Sequence, residues 1–300
     1  MMHYFANPVE PMHHAEVSRL HEVSAPEFDL EKTLNSGQVF HWTQIGKGFV
    51  GAVAQTPVYI EQQGNTIRVS KEHSSLITRY FALDHPLAEI LVTFPADPIM
   101  NVAVEFCRGL RIIRQPRWEC LATFLTSALK QVLHIRAISL SIRKNFGRCL
   151  QRGEVEVFSY PTPEQVAEIP LAKLLECKLG FRAANLIATA RLVASGAVDL
   201  EALQNLPTDE ARAALCSLPG VGEKIANCVL LFAYERLDAV PIDVWISRIM
   251  NEVYFAGRSK GSKVSSREMK LFAANYFGSY AGYAQQYLFH HWRSTYRKRQ

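Results

Sequence analysis

A chain of 300 residues with 48% apolar content is long enough to bury a full core and has room for two ordinary domains. Its formal charge of +5 and pI near 8.9 are compatible with a nucleic-acid partner but too small to require one. Six cysteines without a CxxC pair give no disulfide framework and no zinc site, and no charged start with an apolar run, nor any apolar stretch near 18 residues, marks secretion or a membrane span; the expectation is an intracellular chain in a reducing compartment.

Residues 1–27 carry His3, His13, His14 and His21 without ligand-like spacing and read as a solvated segment. From Phe28 the period changes. Short β-branched and aromatic runs at Val39–Gln44, Phe49–Ala54, Val58–Gln62 and Thr66–Val69, separated by Gly46-Lys47-Gly48 and Gly64-Asn65, predict an antiparallel meander. Short helices follow at Ser74–Phe81, Leu87–Thr93 and Pro98–Cys107, then Leu110–Arg114 and a break at Pro116. Beyond it, strand signals nearly vanish. Amphipathic helices are expected at 118–134, 136–146, 163–168, 171–179, 182–195 and 199–205, and later at Val244–Tyr254, Ser266–Phe277 and Tyr280–Arg299. The expected fold is α+β, with a β-sheet domain over 1–115 packed on a helical domain over 116–300. Basic residues gather at Arg258, Lys260, Lys263 and Arg267, and again at Arg293, Arg297, Lys298 and Arg299, where a solvated tail is the ordinary meaning.

The most informative stretch is Leu218-Pro219-Gly220-Val221-Gly222-Glu223-Lys224, followed by Pro241-Ile242-Asp243-Val244-Trp245. Two glycines around one apolar residue suit a tight bend between helices, here 208–217, with Thr208 as N-cap, and 223–234. A helix-hairpin-helix of this kind leaves N–H groups free at the second helix, where an anion such as a DNA backbone phosphate binds. Lys224 lies in the first turn, where the helix dipole disfavours an ammonium; a neutral amine is a nucleophile. Asp243 can cap the next helix and stay anionic beside the hairpin. Lysine plus carboxylate at a phosphate clamp points to covalent chemistry on a deoxyribose carbon. Taken singly, Lys224 also reads as a phosphate contact and Asp243 as a plain cap.

The pattern LPGVGxK, an apolar helix, then VPxDV resembles the helix-hairpin-helix (HhH-GPD) DNA glycosylase superfamily in its lysine-bearing, Schiff-base branch. Ser36-Gly37-Gln38-Val39-Phe40, Tyr80-Phe81, Glu119-Cys120-Leu121, Leu179-Gly180-Phe181-Arg182-Ala183 and Tyr280-Ala281-Gly282-Tyr283-Ala284-Gln285 before Phe289 stand in the order seen in eukaryotic-type 8-oxoguanine DNA glycosylases, from about Phe28 to Phe289. The resemblance implies a TATA-binding-protein-like N-terminal antiparallel sheet, a monomer acting on double-stranded DNA with an oxidised purine, and a bifunctional glycosylase and β-lyase of base excision repair. It implies no cofactor, because the cysteines that hold an iron–sulfur cluster in some relatives have no counterpart after Cys228.

Carried over by position, Lys224 attacks C1′ and Asp243 stabilises the cationic sugar. Gly37 offers its carbonyl to the N7–H of the oxidised purine, Phe289 and Cys228 sandwich the flipped base, and Gln285 meets its Watson–Crick edge. Phe181 and Arg182 insert beside the vacated base, and Gly220, Val221, Gly222, Trp245 and His134 face the DNA. The chain departs from the pattern in one segment and at two single positions: Leu129-Lys130-Gln131 and His134 replace asparagines and an arginine that read the opposite cytosine, Trp245 replaces a histidine, and Trp292 replaces a pocket acid. An alkylpurine glycosylase without lyase activity and a noncatalytic hairpin module are the alternatives; Lys224 speaks against the first, Asp243 with the pocket set against the second.

Overall fold

The computed structural model describes residues 20–127, 130–257 and 264–296. The basic residues Arg258, Lys260, Lys263 and 297–299, the first three histidines and Leu129 lie outside them.

The chain opens with β1 (Leu20–Ser24), α1 (Leu30–Asn35), β2 (Thr43–Ile45), β3 (Gly48–Val53), β4 (Thr56–Gln63) and β5 (Thr66–Ser70). The five strands form an antiparallel sheet in the order β1-β5-β4-β3-β2. β1 comes from the segment expected to be solvated: it is short and pairs along β5, so partner hydrogen bonds, and not its own composition, make it a strand. Val39–His41, expected to open the first strand, lies outside the ladder and leads into Trp42, which rests on Gly51.

Period-2 alternation divides β3 between two faces. Phe49 and Val53 join Trp42, Val58, Ile60, Ile67, Val69, Tyr80 and Phe81 in one core, while Val50 and Ala52 join Tyr59 on the other face. That second face should meet water in a lone meander, yet it is covered. The cover is a hairpin that the sequence reading missed, β6 (Cys149–Arg152) and β7 (Val155–Phe158), whose Leu150 and Val157 pack on Val50 and Tyr59.

Around the sheet run α2 (Ser74–Tyr80), α3 (Leu87–Val92) and α4 (Pro98–Phe106), then α5 (Arg117–Ser127), α6 (Val132–Phe146), α7 (Pro163–Glu168), α8 (Leu171–Glu176), α9 (Arg182–Ala194), α10 (Thr208–Cys216), α11 (Glu223–Ala233), α12 (Val244–Ile249), α13 (Ser266–Phe277) and α14 (Ala281–Tyr296). The expected helix over 118–134 is broken: α5 stops at Ser127, and α6 begins at Val132 after Gln131, whose extended backbone marks a new N-cap. His134 thereby falls in the first turn of α6. Val244–Tyr254 is α-helical only to Ile249 and then widens to a π-turn. Thr208 lies inside α10, with Pro207 at the cap position, which corrects its expected capping role.

Between sheet and helices runs the extended segment 109–116, and its backbone is bonded on all sides. Arg111 N–H donates to Thr33 Oγ1 (3.2 Å), Ile112 N–H to the Tyr283 hydroxyl (3.2 Å), Arg114 N–H to Tyr80 O (2.8 Å) and Gln115 N–H to Phe232 O (2.8 Å). One extended connector therefore ties α1, α2, α11 and α14 together.

Two buried imidazoles are held neutral by this packing. Burial, and next the charge of Arg293, pushes His290 down to about 4 from 6.5, and burial lowers His41 well below its ordinary value. Because the unfolded chain takes up the His290 proton near pH 6.5 and the folded chain only near 4, stability is full above about pH 7 and is lost as pH falls through that window, by up to about 3 kcal/mol from this group. Urea unfolding at pH 7.5 and 5 should show the loss, and His290→Gln should reduce it.

Candidate active site

The bend of the hairpin forms for local reasons. Gly220 has φ +77°, and a Cβ there would stand 2.4 Å from the Asn185 amide nitrogen on α9, so neither the angle nor the space admits a side chain. Val221 is buried and its N–H donates to Leu218 O (3.1 Å), while Thr189 Oγ1 on α9 donates to Pro219 O (3.1 Å). α11 then starts at Glu223 with Gly222 as N-cap and no side chain capping it. Its first-turn N–H groups are left for an outside acceptor, the requirement for holding a phosphate. Glu223, an acid at this mouth, is paired with Lys270 of α13.

Lys224 is half-buried on the first turn of α11, with Nζ 5.4 Å from the Phe124 ring centroid, and it acts on the Cys228 thiol one turn on. Burial pushes that thiol up, against the pull of Lys224. Asp243 caps α12, its Oδ1 accepting the Ile246 N–H at 2.8 Å. Burial raises the Asp243 carboxyl above its ordinary value, opposed first by the Ile246 bond and then by the charge of Lys224. Lys224, Cys228 and Asp243 therefore share one electrostatic neighbourhood. Asn227 sets their relation: buried between them in sequence, it accepts from Arg212 Nε (2.8 Å) and donates to Val240 O (3.2 Å), clamping the chain before Asp243 to the hairpin. The sequence reading passed over this residue, although its position three after Lys224, on an otherwise apolar helix, was the available signal.

Across the site lies the Ser36-Gly37-Gln38 loop, held by side chains whose role was not foreseen. Gln286 Nε2 donates to Ser36 O (3.0 Å), Gln115 Nε2 to Gln38 O (2.7 Å) and Arg293 Nη2 to Asn35 O (2.8 Å). Gln38 itself bridges Arg111 O (2.8 Å) and the Ile113 N–H (2.9 Å). Among the described residues no bond reaches the Gly37 carbonyl, which keeps its acceptor capacity. Gly37 has φ +89°, and a Cβ on it would stand 3.1 Å from Phe289 Cε1. Gly37→Ala should accordingly lower affinity for a damaged base by about tenfold or more while duplex affinity stays; binding titrations with lesion-bearing and intact duplexes distinguish this from a general loss.

Phe289 belongs to α14, and Gln285 is one turn before it. Gln285 is 4% exposed, and its Oε1 has no hydrogen-bond partner among the described residues. A buried amide oxygen left this way costs about 1–3 kcal/mol unless something arrives to donate to it. Arg293, assigned in the sequence to a solvated tail, is instead half-buried one turn beyond Phe289, with Cζ 5.3 Å from that ring's centroid. Trp292 is buried.

The remaining predicted residues are spread over other elements. Phe181 is 65% exposed just after the turn at Lys178 and Gly180, both at positive φ, which aims the ring outward. Arg182 is 5% exposed, donates to Leu179 O (3.0 Å) and lies 4.3 Å from the Phe181 ring centroid, so it steadies that ring here and does not project from the surface. His134, Lys130 and Lys178 line a separate cleft of about 450 Å³ between α6 and α8. Trp245 stands edge-on to Tyr296 at 5.4 Å, with Arg248 over both rings.

Comparison with known proteins shows what the chain as a whole is similar to. Residues 21–121 match the 8-oxoguanine DNA glycosylase N-terminal domain, and residues 127–274 the HhH-GPD superfamily of base excision DNA repair proteins; together the matches take in most of the chain. The chain is 29% identical to a probable N-glycosylase/DNA lyase of Methanothermobacter thermautotrophicus, over 90% of this chain and 95% of that one. It is 28% identical to the N-glycosylase/DNA lyase OGG1 of Arabidopsis thaliana, over 88% and 77%. The solved structure of Clostridium acetobutylicum 8-oxoguanine glycosylase/lyase, in complex with dsDNA containing cytosine opposite 8-oxoG, superposes with a TM-score of 0.84 at 27% identity, covering 92% of this chain and 98% of that one.

Proposed function

We propose, for a chain that belongs to the HhH-GPD superfamily of base excision DNA repair proteins and carries an 8-oxoguanine-glycosylase N-terminal domain, a bifunctional glycosylase and β-lyase that excises 8-oxoguanine from duplex DNA through a lysine Schiff base. The observation that carries the reading is the electrostatic coupling of a half-buried lysine, at a helix N-terminus without a side-chain cap, to a desolvated carboxylate, with a loop whose Gly37 carbonyl accepts no bond among the described residues.

In this mechanism the hairpin N–H groups hold a backbone phosphate and Phe181 fills the stack from which the nucleotide is flipped. The base lies between Phe289 and Cys228, with Gln285 Oε1 accepting from its Watson–Crick edge and Gly37 O from N7–H. As the C1′–N9 bond breaks, its electron pair leaves with the base while the Lys224 Nζ lone pair forms a bond to C1′. The proton shed by Nζ goes to the departing base. Asp243 stabilises the positive charge that develops on the sugar, and burial makes that interaction stronger than it would be in water. Opening of the sugar ring gives the Schiff base; C2′ then loses a proton and the 3′ phosphate departs.

The base opposite the lesion is where this chain should behave differently from the pattern it otherwise follows. Lys130, His134 and Lys178 on the cleft are compact donors, without the bidentate fork that reads one base edge. A good base contact carries about 1–3 kcal/mol, so cytosine preference should be weaker by about tenfold or more. Single-turnover excision of 8-oxoguanine opposite C, T, G and A, with an alkylated purine and intact guanine alongside, tests both statements. Removal of 8-oxoguanine opposite every base is expected; a cytosine preference of many hundredfold contradicts the opposite-base reading, and removal of the alkylpurine alone contradicts the function.

A further inference from the structure

Gln285, Phe289 and Arg293 stand at i, i+4 and i+8 on α14 and so form one stripe, about 12 Å from end to end. Gln285 and Phe289 have a role in the mechanism above; Arg293 has none there. Three distances place Arg293 beside Phe289 and the loop that holds Asn35 and Gly37. Its Nη2 donates to Asn35 O at 2.8 Å, Cζ is 5.3 Å from the Phe289 centroid, and Nη1 lies 3.7 Å from where a Cβ on Gly37 would sit. Its Nε is buried and has no hydrogen-bond partner among the described residues. Burial lowers the Arg293 pKa, and the carboxylate of Asp243 raises it, so the guanidinium also feels the group at the sugar.

These neighbours locate Arg293 on a bound purine, on the reading that Gly37 meets N7–H, Asp243 faces C1′ and Gln285 takes the Watson–Crick edge. The far end of the stripe from Gln285 is the imidazole end of the base. Between N7, beside Gly37, and N9, bonded to C1′, the purine ring has a single atom, C8. In guanine it bears a hydrogen; in 8-oxoguanine it bears a carbonyl oxygen.

We propose that Arg293 is a specificity-determining residue that donates to O8 of the lesion and stabilises the negative charge left on the base when the C1′–N9 bond breaks. The guanidinium has five donors and cannot be deprotonated in a protein, and it is steadied by the Asn35 carbonyl and the Phe289 face. For a C8–H it offers no acceptor partner, so it favours the oxidised base at binding and favours it more as the pair moves onto the ring and O8.

The experiment compares wild type, Arg293→Lys and Arg293→Gln in two single-turnover reactions: excision of 8-oxoguanine from a duplex, and scission of a duplex holding a preformed abasic site. Gln keeps an N–H that could tether Asn35 but has no charge, whereas Lys keeps the charge. The expected result is that Arg293→Gln loses about a hundredfold in excision, Arg293→Lys stays within about tenfold of wild type, and all three cut the abasic duplex equally. Excision by Arg293→Gln at the wild-type rate would overturn the proposal, as would equal losses in both reactions, which mark a damaged fold. A wild-type protein inactive in both reactions contradicts the underlying mechanism instead.

Discussion

Lys224→Gln is expected to abolish strand scission and borohydride-trapped protein–DNA complex and to slow excision by at least about a thousandfold, while affinity for duplex DNA stays within a few-fold of wild type. The separation follows from where the two functions sit. In the proposed mechanism phosphate holding falls to the first-turn N–H groups of α11 behind Gly222, which no substitution at a side chain removes. Bond formation at C1′ needs the Nζ lone pair, which a glutamine amide lacks. The variant should also fold, since Lys224 is half-buried and its contacts are the Phe124 ring face and the Cys228 thiol, both adequately met by a neutral amide. Trapping at the wild-type level in this variant would move the nucleophile elsewhere.

Asp243→Asn should slow excision by about a hundredfold to a thousandfold with little change in folding. An asparagine Oδ1 can still accept the Ile246 N–H, so the N-cap of α12 survives, and Asn is as good a cap as Asp. The lost element is the negative charge facing the cationic sugar, in a desolvated position where it matters most. The same burial raises the Asp243 pKa, so the acid limb of the single-turnover pH profile should lie above the ordinary carboxylate value of 3.8, with activity falling as the group is protonated, and Asp243→Asn should lack that limb. An unchanged rate in the variant would leave Asp243 only its capping role.

How far the site was legible in the sequence depended on whether each residue announced itself locally. Gly220 did, because the bend needs positive φ there and a Cβ would run into Asn185, a need met by glycine. Asp243 did as well, since a carboxylate two residues after proline is a readable helix start. Asn227, Gln286 and Gln115 did not: each acts by bonding a backbone carbonyl distant in sequence, at Val240, Ser36 and Gln38, and nothing near them reports that partner. Arg293 was hidden by its neighbours. Read with the basic residues after it, it looked like tail; counted from Gln285 in steps of four, it falls on the pocket face.

The fold divided along the same line. The meander and most of the helices follow from alternation and amphipathic period, which are properties of a segment. The break between α5 and α6 was misplaced because 118–146 is apolar-periodic throughout, and only the extended backbone at Gln131 marks the interruption. The β6–β7 hairpin was missed although Leu150, Arg152, Val155 and Val157 alternate around Gly153, a signal overlooked among helices. Its reason for being a hairpin is tertiary: it covers Val50, Ala52 and Tyr59, which would otherwise leave one face of the sheet wet.

The central claim is that Lys224 joins C1′ of the damaged nucleoside, and it is tested most directly by reducing the wild-type protein with borohydride on an 8-oxoguanine duplex, digesting the complex and locating the modified residue by mass spectrometry. A single adduct, one deoxyribose remnant, is expected on the peptide containing Gly222-Glu223-Lys224-Ile225. An adduct on any other lysine, or excision of the base with no adduct at all, contradicts it.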